Sequence, residues 1–107
     1  MGANSITSPS SFTAATETDL YNNESAQKTI TLGIDIYNPE STAQAVEIWK
    51  TSAANAHIGT PIFKGNIAAL TPISNVRKYV ILPGQKIRFK SASANVTIEM
   101  SIFEGLA

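Results

Sequence analysis

The stretch KTITLGIDIY, residues 28–37, restricts the fold more than any other part of the chain. Ile30, Leu32, Ile34 and Ile36 alternate with Thr29, Thr31, Gly33, Asp35 and Tyr37. A period of two sends the first set to one face and the second to the other, as in a half-buried strand. VTIEMSI at 96–102 repeats the pattern, with Val96, Ile98, Met100 and Ile102 expected inward against Thr97, Glu99 and Ser101. A third alternating run sets Ile87 and Phe89 inward and Lys86, Arg88 and Lys90 outward.

Turn chemistry divides the remainder. Pro39 has no backbone donor and biases Asn38 away from helix, so NPES at 38–41 ends the strand before it. Pro83 and Gly84 mark a turn into Lys86, and SASAN at 91–95 reverses the chain. TAQAVEIWKT at 42–51 could coil into a short helix, but Ile48 and Trp49 among sheet-like neighbours favour a strand. SAANAHIGT at 52–60 reads as a loop. PIFKG and NIAALTPI read as two short strands, with a hairpin around Gly65 and Asn66, followed by a strand from Arg77 to Leu82. SFTAATETDLYN is a weaker first strand. Many short strands, frequent turns and no convincing helix predict an all-β, single-domain β-sandwich or jelly roll of seven to eight mostly antiparallel strands.

A chain of 107 residues supports one core, not two. Residues 1–11, rich in Ser with Thr, Asn and Pro among them and almost nothing to pack, are expected to form a flexible N-terminal arm that orders only against something else, leaving 12–107 as the sandwich domain. No segment approaches the roughly 20 apolar residues of a membrane helix, and residues 1–23 show no basic start followed by an apolar run, so a secreted or membrane-spanning product is not expected. No membrane partner is expected. Gly2 alone gives little support to myristoylation.

Chemistry is sparse. Without cysteine there is neither a thiolate nucleophile nor a zinc–thiolate site. His57, the single histidine, has no acid within nine positions in sequence and reads as a loop residue, although a ring of such side chains about an oligomer axis would be one use for it. Glu17, Asp19 and Glu24 could make a weak calcium site, but their spacing matches no dedicated loop. Phosphate-cradling glycine runs and paired catalytic carboxylates are missing. No enzyme activity, cofactor or metal is expected.

Charge is balanced overall, eight basic against eight acidic residues, yet Arg77, Lys78, Lys86, Arg88 and Lys90 fall in a span free of acids. If the two strands carrying them are neighbours, one edge becomes positive. That edge would dock an acidic protein surface, or simply insulate the sheet against stray pairing. Specific nucleic-acid binding is not expected, because Tyr79 is the lone stacking platform nearby. Tyr21, Tyr37, Trp49 and Phe103 fall out of phase with the inward rows. Outward aromatics suit burial against another subunit, a carbohydrate platform, or capping of the core ends.

The segments YVILPGQKIRFKSASANVTIEMSIFEG and KTITLGIDIYNPESTAQAVEIWK, a little under half the chain, resemble small β-sandwich structural proteins of tailed-phage virions. The likeness runs through Pro83, Gly84, Ser91, Ala94, Asn95, Ser101 and Glu104, all turn or strand positions. Gln85, where an acid is often found, and the ending IFEG depart from it. The resemblance implies a protein that decorates or cements a capsid, or serves a neck, tail or fibre attachment. It further implies a homo-oligomer such as a trimer, major capsid or other virion proteins as partners, and a place in a virion assembled in the host cytoplasm. A different class, a carbohydrate- or receptor-binding module, would use residues 52–60 and 71–77 as recognition loops.

Overall fold

The computed structural model describes residues 2–9, 12–75 and 78–106. Nine strands account for most of them: β1 Gly2–Thr7, β2 Thr18–Asn22, β3 Lys28–Asn38, β4 Gln44–Thr51, β5 Phe63–Ile67, β6 Thr71–Asn75, β7 Val80–Ile81, β8 Lys86–Ser91 and β9 Thr97–Leu106. The first sheet runs β1-β9-β3-β6, with β7 also on β3, and the second runs β2-β8-β4-β5. Every pairing is antiparallel. The chain crosses repeatedly between sheets, the winding of a jelly roll. No described helix is long and apolar enough to cross a membrane.

Branched apolar side chains from both sheets meet between them. Ile34, Ile36, Ile81, Ile98, Met100 and Ile102 come from the first sheet, and Val46, Ile48, Ile67, Ile87 and Phe89 from the second, all buried. Isoleucine suits this layer because its branched Cβ packs well on a pleated surface. Phe12, in the connection before β2, sets its ring edge-on to Phe89 at 4.9 Å.

Two buried asparagines tie the sheets at the ends. Asn38 Nδ2 donates to the carbonyls of Thr42 and Ile67 at 2.9 and 3.0 Å, while its Oδ1 accepts from the Glu40 amide. Directly after β2, Asn23 Nδ2 donates to the carbonyls of Gln27 and Ile81, and its Oδ1 accepts from Ser25. Each amide thereby reaches a carbonyl of the opposite sheet. Between the sheets' other connections, Gln85 N–H bonds Leu82 O across Pro83 and Gly84, whose φ of +85° is the left-handed backbone that glycine permits.

Several expectations are corrected. The alternation of β3 reverses midway, because the β3–β9 register shifts between Thr31 and Gly33. Thr29 and Thr31 are fully buried, Ile34 and Ile36 face in as expected, and Ile30 lies on the outward side, half-buried. A bulge adds one residue to one strand and so exchanges its faces. Residues 2–7, expected as an arm, pair with β9 as an edge strand, and Ser8 N–H continues the ladder to Ile98 O at 2.7 Å. Backbone pairing needs no apolar side chain, which is why composition gave no sign of it. The hairpin at Gly65 and Asn66 is absent, since β5 runs straight through them to bury Ile67. The chain turns instead at 68–70, where exposed Leu70 has φ +53°, and β6 then joins the other sheet.

Candidate protein interface

The outward side of the second sheet carries the expected cation row. Lys86, Arg88 and Lys90 lie on β8 between β2 and β4, each facing away from buried Ile87 and Phe89. The row is not left open. Arg88 Nε donates to Asp19 Oδ1 at 2.7 Å, its Nη1 to Glu17 Oε2 at 3.1 Å, and its Nη2 to the Glu17 carbonyl. Lys86 lies 3.4 Å from Asp19 and donates to Asn55, while Lys90 lies 3.6 Å from Glu47. An antiparallel ladder places Asp19 beside Arg88 and Glu47 beside Lys90, so the acids come from neighbouring strands, not from neighbouring sequence.

Trp49 occupies the centre of this face, paired with Arg88 across the β4–β8 ladder. His57 stacks on it with centroids 4.1 Å apart and an interplanar angle of 14°. His57 Nε2 is bonded to Glu17 Oε1 at 2.6 Å, so the fold brings it an acid forty residues away. The indole N–H donates to Glu47 Oε1 at 3.0 Å. That bond, followed by the Lys90 and Lys64 charges, holds the Glu47 carboxyl below its ordinary value of 4.5.

A folded-state pKa below the unfolded one adds stability above the unfolded value and loses it as pH falls through the folded one. Glu47→Gln is therefore expected to lower the melting temperature slightly near pH 7, with the gap to wild type closing as pH falls below the ordinary carboxyl value of 4.5. Melting curves from pH 3 to pH 7 check this; a pH-independent gap would contradict it.

The other expected interface residues separate. Tyr37 is outward on β3 and 42 % exposed, next to Pro72 on β6. Phe103 is also outward, in register with Ile30, which in turn pairs with Val80. Together they form an apolar row across β9, β3 and β7, continued by exposed Leu82 beyond β7. Tyr21 is a correction. The β2–β8 register shifts between Asp19 and Tyr21, which turns the ring against the core, with its hydroxyl on Thr29 Oγ1 at 2.8 Å and Glu104 at 3.0 Å. Burial raises the Tyr21 pKa, as does Glu104, against the opposing Thr29 bond.

Lys78 is exposed but precedes β7 in the first sheet, so the two segments of basic residues do not share an edge; Arg77 lies outside the described residues. Sequence reasoning did not foresee the pairing roles of Glu17, Asp19 and Glu47. Alternation puts Glu17 and Asp19 on one side together, but only strand order shows which cation each meets. Among the described residues no group of three or more His, Asp or Glu side chains is placed to hold a metal ion.

No protein-family model matches the sequence, and no curated protein matches it. Solved structures share the fold. A chain from Bacillus endospore appendages, described as a novel family of disulfide-linked pili, superposes with a TM-score of 0.55 at 16% identity, over 98% of this chain and 88% of that one. A chain of the T13 IBDV viral particle gives 0.51 at 10% identity, over 94% of this chain and 30% of that one. These likenesses establish the two-sheet, jelly-roll architecture.

Proposed function

We propose that the protein is a non-enzymatic structural subunit that packs against copies of itself and against other proteins of a particle, as a capsid decoration or cement protein does. The observation that carries the reading is the pair of outward sheet faces. One presents Tyr37 and the Phe103, Ile30 and Val80 row, and the other presents Trp49 inside a preformed polar network. Outward aromatics framed by fixed polar groups are the make-up of a protein interface, and the network costs little further ordering when a partner covers it. Closed oligomers such as a trimer, with major capsid or other virion proteins beneath them in a particle assembled in the host cytoplasm, fit this role. So does a neck, tail or fibre position. The architecture shared with pilus and viral-particle chains supports it. Disulfide linkage of the kind described for the pili is not available to a chain without cysteine, so cohesion here rests on non-covalent contact.

Trp49 is the single tryptophan and reports directly on its own face. Acrylamide quenching of its fluorescence is expected to fall as protein concentration rises and copies cover the ring. Quenching that stays constant across the range would count against burial of this face. One observation favours a second reading, a carbohydrate-binding module: the fold gathers Glu47, His57 and Arg88 around Trp49. Against it, His57 already covers one side of the indole. A saccharide-induced change in Trp49 emission from dilute protein would favour that reading.

A further inference from the structure

Asp35 and Glu99 stand directly opposite one another on β3 and β9, both exposed on the outward face of the first sheet. Like charges in that position disfavour the pairing of their strands. Asp35 accepts a hydrogen bond from Ser74, but among the described residues neither carboxylate has a cationic partner. Beside them, Tyr37 and Pro72 complete a shallow depression of about 310 Å³ with Ser74 and Thr97. An ammonium group would offset the repulsion, and an alkyl stem would lie along Tyr37 and Pro72.

The complement is on the opposite sheet of the same chain. Lys64, Glu47 and Lys90 form one row across β5, β4 and β8, with more positive than negative charge. Lys90 leans on Glu47, whereas Lys64, exposed on edge strand β5, stands opposite Glu47 in the ladder and feels its charge without closing to a salt bridge. Because the chain is neutral as a whole, a negative patch on one face and a positive row on the other make two copies complementary where one face against itself is not.

We propose that the depression formed by Asp35, Glu99, Tyr37 and Pro72 receives Lys64 of a second copy, joining the outward face of the first sheet to the outward face of the second. The contact is heterologous. Such contacts close into rings, trimers included, when the rotation between copies divides a full turn, and otherwise run on as a filament. The proposal rests on the self-packing reading above and adds its chemistry. It also gives the Asp35 and Glu99 pair a role, since the repulsion within the isolated chain is offset on docking.

A charge exchange tests it. Asp35→Lys and Lys64→Glu are each expected to weaken self-association at least tenfold in low salt, measured by sedimentation velocity. An equimolar mixture of the two variants should recover association, because the carboxylate introduced on β5 of one can pair with the ammonium introduced on β3 of the other. Asp35→Lys also removes the like-charge pair, so its melting temperature should equal or exceed that of wild type, which separates lost docking from lost folding. A wild type that associates alongside variants that associate equally well, or a mixture that recovers nothing, would overturn this contact and leave self-packing standing. A wild type that sediments as a monomer at every concentration would overturn the self-packing reading itself.

Discussion

Replacing Phe89 by alanine is expected to destabilise the domain by about 3–5 kcal/mol, the usual cost of emptying a buried aromatic site. Phe89 is fully buried on the central strand β8, where Ile48 and Thr18 pair with it and the Phe12 ring meets its face or edge at right angles. Its loss removes apolar contact from both sheets and releases Phe12, so the 12–17 connection should loosen with it. For a domain of this size that is a fall of more than roughly 12 °C in melting temperature. Phe89→Leu, which keeps much of the volume, should cost under half as much. An alanine variant within about 1 kcal/mol of wild type in urea denaturation would mean the sheets do not meet at this residue.

Asn38→Asp should be nearly as damaging although it changes almost no volume. The amide of Asn38 donates to the Thr42, Ile67 and Ala68 carbonyls while accepting from Glu40 N–H. A carboxylate keeps the Glu40 bond but cannot donate, and it sets negative charge against three carbonyl oxygens in a fully buried position. The expected loss at pH 7 is about 2–4 kcal/mol, from orphaned carbonyls and a buried charge. Asn38→Ala should cost about 2 kcal/mol, since it orphans the same groups without adding charge. Denaturation of the pair at pH 7 and pH 4 checks the assignment: the aspartate variant should recover part of its loss at the lower pH, where it gains a proton, and the alanine variant should not. Equal pH responses would contradict the donor role.

The same two positions show how far sequence could be read. Phe89 was legible because β8 keeps strict alternation from Lys86 to Ser91, and the Pro83–Gly84 turn carries its own backbone requirement. Asn38 was legible only as a turn residue. Its real work, tying two sheets, depends on Ile67, which is nearly thirty residues away. Tyr21 and Ile30 were placed on the wrong faces for one shared reason: a register shift leaves no mark in hydrophobic periodicity. The cation row was legible, but its neutralisation was not, because Glu17, Asp19 and Glu47 reach it through strand order. Docking and insulation thus become less distinct than the residues alone suggested. Arg88 is held by its own chain, and the charge left over for a partner belongs to Lys64 on one face and to Asp35 and Glu99 on the other.

Absolute mass by light scattering, over a range of protein and salt concentrations, tests self-packing most directly. Self-packing predicts a mass above that of the 11.4 kDa chain, rising with concentration toward a ring or a growing stack and falling as salt screens the complementary faces. A mass fixed at one chain throughout the range would contradict it.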